Sequence, residues 1–322
     1  AINYAVWIAF SQITEPEVRL HSIDFDQSVV ISINKELTKG EGWSEYLKGL
    51  INIYKQSKFK IIGWKGIIAG NVPIGAGLSS SAALTLALTR VFAKVSNLDW
   101  DPRQMARICQ LAENQWVGVN CGIMDQMISA SGQADHVTLI DCRSLKTSPV
   151  PLPEEVRVVI LDTCTRRGLV DSAYNERRKQ CESVASYFGK KALRDVSYKQ
   201  LNEAKTKIDH TQFKRARHVV QENERVLDCA ESLRLGNLDH VGKLMNSSHK
   251  SLRDDFEVSS DALDLIVENA LKAPGCFGAR MTGAGFGGCA VALVETKKTE
   301  DFVKIILKSY HTSTGKKALL YV

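Results

Sequence analysis

Gly70-Asn71-Val72-Pro73-Ile74-Gly75-Ala76-Gly77-Leu78-Ser79-Ser80-Ser81-Ala82-Ala83 is the stretch that decides how this chain is read. Glycines at 75 and 77 permit backbone angles closed to other residues and let a ligand approach the main chain. Ser79, Ser80 and Ser81 are N-cap residue types. Leu84, Leu88, Val91, Phe92 and Val95 then recur at three- and four-residue steps, which predicts an amphipathic helix. A helix start leaves N–H groups unpaired and carries partial positive charge, so such a turn suits a polyphosphate. The serine hydroxyls can add hydrogen bonds or ligate magnesium. No Gly-Lys-Ser/Thr closes the loop, so it is not a Walker A element, and no Gly-x-Ser-x-Gly elbow offers a hydrolase nucleophile. On these residues alone, a capped core helix behind a tight turn competes with phosphate binding.

Around this stretch lie 322 residues, enough for one large domain or two lobes. Hydrophobic content of 44% and charged content of 24% describe an ordinary globular chain. No apolar run approaches the roughly 20 residues of a membrane span. Residues 1–10 carry no basic leader or cleavage pattern, and Ala1 rather than Met opens the sequence. The net charge of +6 is spread among acids. Its densest patch, Lys214-Arg215-Ala216-Arg217-His218, lacks interleaved aromatics and reads as a solvated helix face, so no nucleic-acid partner is expected. The eight cysteines form no CxxC pair, which argues against zinc and for free thiols in a reducing compartment.

Upstream, 3–10, 18–23, 29–33 and 61–68 read as strands and 43–54 as a helix. Asp101-Pro102 starts a helix on which Met105, Ile108, Leu111, Ala112 and Trp116 share a face, ended by Gly118 and Gly122. A short helix over 124–130 and a strand over 137–141 follow. Ser148-Pro149-Val150-Pro151-Leu152-Pro153 is the expected lobe boundary, dividing 1–147 from 148–322. Beyond it come a strand (156–161), helices near 171–188, 211–235 and 259–272, and a partly helical polar stretch at 195–207. Strands at 278–282 and 289–294, a helix at 300–309 and a strand at 317–322 close the chain. This order is α+β, with antiparallel pairing expected in the second lobe.

Two further stretches bear on chemistry. Met281-Thr282-Gly283-Ala284-Gly285-Phe286-Gly287-Gly288-Cys289 superficially matches a dinucleotide fingerprint, but a strand follows it where a helix is required. A glycine hairpin whose backbone meets phosphate, or an unliganded tight hairpin, fits better. In Gly118-Val119-Asn120-Cys121-Gly122-Ile123-Met124-Asp125-Gln126, Asp125 is either a helix cap or a functional carboxylate, and Glu113 alone reads as solvent-facing. Phosphoryl transfer needs phosphate donors, a divalent ion and a carboxylate at the acceptor hydroxyl. Ser81 with Glu113, and Asp125 as base, supply that set.

Pro73–Ala82 resembles the second signature of the GHMP kinase superfamily, and Thr282–Gly288 its third. Cys121–Gln126, Ile140-Asp141-Cys142-Arg143-Ser144-Leu145 and Ser251-Leu252-Arg253-Asp254-Asp255-Phe256-Glu257-Val258-Ser259 resemble galactokinases more narrowly. The resemblance keeps its order over essentially the whole chain. It implies a two-lobed GHMP fold, a mixed-sheet N-terminal lobe and an antiparallel-sheet C-terminal lobe with helices, and an active site between them. It implies transfer of the ATP γ-phosphate to the anomeric hydroxyl of D-galactose. By motif position, Gly75, Ala76, Gly77, Leu78, Ser79, Ser80 and Ser81 would hold ATP, with Gly283 and Gly285 in support. Ser81 and Glu113 would hold Mg2+, Asp125 would be the base facing O1, and Gly122 and Tyr174 would contact the sugar. Trp43 would lie beside the adenine, although alone it reads as core. A cytoplasmic monomer is expected.

One signature departs. The family's Gly-Arg-x-Asn-x-x-Gly-Glu-His-x-Asp-Tyr, which supplies most sugar contacts and an arginine beside the catalytic carboxylate, is absent from these 322 residues. Its absence sets two expectations: a sequence that begins inside a longer protein, or a protein without its sugar site. The alternatives carried forward are a kinase for N-acetylgalactosamine or galacturonate, and a regulator that binds ATP and galactose without turnover.

Overall fold

The computed structural model of the chain describes residues 2–74, 77–165 and 170–322. The chain divides into two compact units, Ala1–Pro149 and Val150–Val322.

Alternation builds the first unit. In β2 (Glu17–Ser22) Val18 and Leu20 are buried while Arg19 is exposed, and β3 (Gln27–Ser32) pairs with it antiparallel, setting Val18 opposite Ile31. β1 (Val6–Gln12) and β4 (Trp64–Gly70) pair antiparallel, and β4 lies parallel to β2, giving the mixed order β1-β4-β2-β3. The inward face meets α1 (Ser44–Gln56) and α2 (Ser80–Val95). Leu47, Leu50, Ile51 and Tyr54 repeat at helical spacing on α1 and are fully buried with Leu88 and Phe92 of α2. The Phe92 ring lies edge-on to Trp64 at 5.7 Å, one of the favoured aromatic geometries. Asp101 caps α3 (Pro102–Leu111) by accepting from the Arg103 N–H, as Asp-Pro predicts. The helix then widens into a π turn, Ala112–Val117, before α4 (Met124–Ser131). β5 (His136–Ile140) pairs with β6 (Thr147–Pro151), so the proline stretch read as a boundary loop starts as a strand, and the two compact units divide within it.

The second unit holds an antiparallel sheet, β10-β7-β9-β8, from β7 (Val156–Asp162), β8 (Cys276–Met281), β9 (Cys289–Glu295) and β10 (Leu319–Tyr321). Val159, Leu161, Ala279, Ala290 and Ala292 form its buried face. α9 (Asp261–Lys272) packs there through Leu263 and Ile266, and α10 (Thr299–Thr314) through Phe302, Ile306 and Tyr310. A separate core joins Val184 of α5 (Val170–Tyr187), Leu201 of α6 (Tyr198–Glu203) and Phe213 of α7 (His210–Arg234). α8 (Leu238–Ser251) has no counterpart in the sequence reading. Its second half, Asn246-Ser247-Ser248-His249, is poor in helix formers, and tertiary packing overrides that propensity.

Among the described residues no helix is long and apolar enough to cross a membrane. Among the described residues Cys109, Cys121, Cys181, Cys229 and Cys276 are free thiols.

Candidate active site

The glycine loop enters α2 through Ser79, whose φ of 63° is left-handed and whose side chain caps nothing. The capping role predicted for it fails for that reason: a cap needs an extended backbone to aim its oxygen at the helix N–H groups. The hydroxyl instead lies near the carboxylate of Asp125 in the first turn of α4, close enough to favour its charged form. Gly77 also has positive φ, 75°, with open space where a side chain would stand. Leu78 is half-buried, and Ser80 is the first residue of α2. Gly75 and Ala76 lie outside the described residues.

Two residues after Ser79, Ser81 lies against Glu113, with Thr85 four residues on at the same face. Glu113 is only 2% exposed, so its solvent-facing reading is wrong. The π turn carries it inward, its carbonyl accepting from Gly118 N–H at 2.8 Å. Gln126 Nε2 donates to Glu113 Oε1 at 2.8 Å. Gln126 is itself 1% exposed, and its Oε1 has no hydrogen-bond partner among the described residues. Burial raises the Glu113 carboxyl, and the Asp125 charge adds to this, against hydrogen bonds from Gln126, Ser81 and Thr85. Burial also raises Asp125, against the nearby Ser79 hydroxyl. Among the described residues neither carboxylate makes a salt bridge to Lys, Arg or His. Two neighbouring carboxylates disfavoured by burial, with a hydroxyl between chain segments, form a hard-oxygen set that a divalent cation relieves. No cluster of three or more His, Cys, Asp or Glu is present among the described residues. A one-hydroxyl, one-carboxylate anchor matches Mg2+, which keeps waters and phosphate oxygens.

Gly122 is exposed with open space about its Cα, leaving room beside Asp125 in sequence. Cys121 is pushed up to about 11 by burial and the Glu113 charge, so it is no nucleophile. Trp43 stands at the start of α1, 8% exposed, its Nε1 donating to Gln27 Oε1 and its ring parallel to Phe25 at 6.3 Å.

In the second unit the turn joining β8 to β9 has positive φ at Gly283, Gly285, Phe286, Gly287 and Gly288. Phe286 N–H bonds Val258 carbonyl at 2.7 Å, and a Cβ on Gly285 would lie 2.1 Å from that same oxygen. Val258 follows Glu257, which Arg215 and Lys214 hold down at about 2. At the turn's entry Met281 N–H donates to His249 Nδ1, whose Nε2 lies 3.3 Å from Asp264. A left-handed main chain of this kind can present successive N–H groups to an anion, and two of the turn's N–H groups, Phe286 and Gly288, are already bonded to the Val258 and Thr165 carbonyls. Tyr174 is half-buried on α5.

The residue-by-residue reading missed Gln126 and Thr85. Thr85 carries a findable signal, since Ser81, Thr85 and Thr89 put a polar stripe on a face of α2 whose Thr85 and Thr89 are fully buried. Gln126 carries none beyond adjacency to Asp125.

The chain matches the family models for the GHMP kinases N terminal domain over residues 45–133 and the GHMP kinases C terminal over 229–311. It is 43% identical to the galactokinase of Haemophilus influenzae, the alignment taking in all of this chain and 85% of that protein. With the galactokinase of Pasteurella multocida the identity is 44%, over all of this chain and 86% of the relative. Lactococcus lactis galactokinase, solved in complex with galactose, superposes with a TM-score of 0.95 at 35% identity, over all of this chain and 85% of that one. A mevalonate kinase shares the fold at TM-score 0.64 and 20% identity, over 98% of this chain and 88% of its own. Seen beside the carboxylate pair and the two glycine turns, these likenesses have one outcome: the chain belongs to the galactokinase family of the GHMP kinases.

Proposed function

We propose that this chain transfers the γ-phosphate of ATP to the anomeric hydroxyl of D-galactose, with Asp125 as the acceptor's base. The observation that carries the residue roles is the meeting of Ser79, Ser81, Glu113 and Asp125 at the head of α2. Asp125 accepts or orients the O1 proton, and its raised carboxyl brings it nearer the pH at which it works. Ser79 holds that carboxylate in place. Ser81 and Glu113 hold Mg2+, and Gln126 orients Glu113. The ion, when bound, offsets charge on the migrating phosphoryl group. The turn at Gly283 and Gly285 supports the phosphates, Gly122 and Tyr174 line the sugar, and Trp43 lies beside the adenine. The reaction runs in the cytoplasm on a single chain.

Phosphorus NMR of the chain with ATP, Mg2+ and a panel of sugars tests this. Galactose 1-phosphate is the expected product. Turnover only with N-acetylgalactosamine or galacturonate overturns the sugar assignment, and tight binding of ATP and galactose without product makes the chain a regulator. Gly285→Ala tests the second turn: a methyl at φ +86° against the Val258 carbonyl displaces the turn. The KM for ATP is expected to rise roughly tenfold or more, the size of a 1.4 kcal/mol loss in binding; an unchanged KM contradicts the assignment.

A further inference from the structure

The π turn that carries Glu113 is held from α1. Trp116, three residues beyond Glu113, donates its Nε1–H to Glu45 Oε2 at 2.9 Å. Glu45 is 7% exposed and pairs with Lys48 at 2.6 Å. Lys39 Nζ lies over the Trp116 ring at 5.8 Å. Between these contacts Gly49 lets α1 approach: a Cβ there would lie 3.1 Å from the Ala112 carbonyl and 3.2 Å from Trp116 Cβ. The turn thus has one side fixed to α1 through Trp116 and the other facing Ser81 and Gln126 through Glu113. An α-helical turn places residues i and i+3 on one face, and the wider π turn lets these two diverge.

We infer that Glu45 and Trp116 are positioning residues for Glu113: their hydrogen bond holds the π turn that aims the carboxylate at Ser81. The inference rests on the reading of Glu113 as the metal ligand for its consequence in catalysis, and on geometry alone for the clamp. Neither residue touches substrate or metal. Lys48 completes the device by keeping Glu45 ionised, so that Trp116 donates to a charged acceptor, the stronger kind of hydrogen bond.

The test uses the full chain. Trp116→Phe keeps a ring and removes the donor; Glu45→Gln keeps an acceptor and serves as the conservative control. Amide hydrogen exchange without nucleotide reads the turn directly, because Gly118 and Val119 N–H both donate to the Glu113 carbonyl. Trp116→Phe is expected to speed exchange at these two amides by roughly tenfold, the loss of one hydrogen bond to a charged group. Amides of β2 and β4 keep their wild-type rates. The Mg2+ concentration at half-maximal ATP binding rises by about threefold or more, less than the roughly 10–100-fold typical for loss of a ligand's direct hydrogen-bond partner, because Trp116 acts on Glu113 only through the turn. Glu45→Gln, which keeps an acceptor but loses the charge and the Lys48 pair, is expected to fall between wild type and Trp116→Phe in both measurements. Unchanged exchange at Gly118 and Val119 overturns the clamp, as does acceleration spread evenly over the fold. Glu113→Gln in the same titration separates the two readings. Should it leave the Mg2+ midpoint in place, Glu113 is not the ligand, and the exchange rates alone decide the clamp.

Discussion

Asp125→Asn is expected to lower the rate of galactose phosphorylation by roughly 10²–10⁴-fold, the usual cost of losing a true acid–base group, while making the nucleotide-free protein more stable at neutral pH. The second half follows from linkage. Burial raises the Asp125 carboxyl above its ordinary value, so the folded state holds its proton more tightly than the unfolded chain does. Such a group's contribution to stability is fully present below the unfolded-state value of about 3.9 and is lost as pH rises through the folded value. At neutral pH the charged carboxylate is therefore a burden on the fold. Asparagine keeps an acceptor for Ser79 and removes the charge. It also relieves Glu113, whose carboxyl the Asp125 charge helps to raise. Thermal unfolding of wild type and variant at pH 7.5 and pH 4 checks this: the variant should melt higher at pH 7.5, with the gap closing toward pH 4. Activity within about tenfold of wild type removes Asp125 from the chemistry. A variant less stable at neutral pH removes the burial account.

Glu113→Gln carries the second large effect. Losing a preorganised stabiliser of developing charge, here the ion that Glu113 would hold, typically costs roughly 10²–10³-fold in turnover, and that loss is expected here with the Mg2+ requirement shifted upward. A pH signature separates a ligand from a packing residue. Protons and metal compete for Glu113, so the wild-type Mg2+ midpoint should climb as pH falls through the raised Glu113 value. The Gln variant has no such proton and should show a flatter dependence. Equal slopes in the two proteins contradict the metal role. Glutamine preserves a side chain able to meet Gln126 and Ser81, so gross unfolding is not the expected outcome.

The fold was largely legible where periodicity and punctuation agree. Val18 and Leu20 alternate with Arg19, Leu47, Leu50 and Ile51 repeat at helical spacing, and Asp101-Pro102 starts a helix; each appears in the structure in the expected role. α8 was not legible, because packing rather than propensity sustains a helix ending in Asn246-Ser247-Ser248-His249. The π turn was not legible either. A 3.6-residue period carried from Ile108 to Trp116 leaves Glu113 on the wetter side, and only an inserted turn sends it inward. Ser79 was read as a cap because its residue type suits one, whereas a left-handed backbone aims its hydroxyl at Asp125. The site's membership came from motif resemblance more than from spacing. Residues 79, 81, 113 and 125 meet through three helices, and no local pattern encodes that meeting.

The central claim is that Asp125 serves the sugar while Ser81 and Glu113 serve the ion. A crystal structure of the chain with Mg2+, a non-hydrolysable ATP analogue and galactose tests it most directly. The account predicts an Asp125 oxygen within about 2.6–3.2 Å of the anomeric hydroxyl, and the ion on Ser81 Oγ and a Glu113 oxygen at about 2.0–2.1 Å. An anomeric hydroxyl bound at a different base, or an ion held away from Glu113, would contradict it.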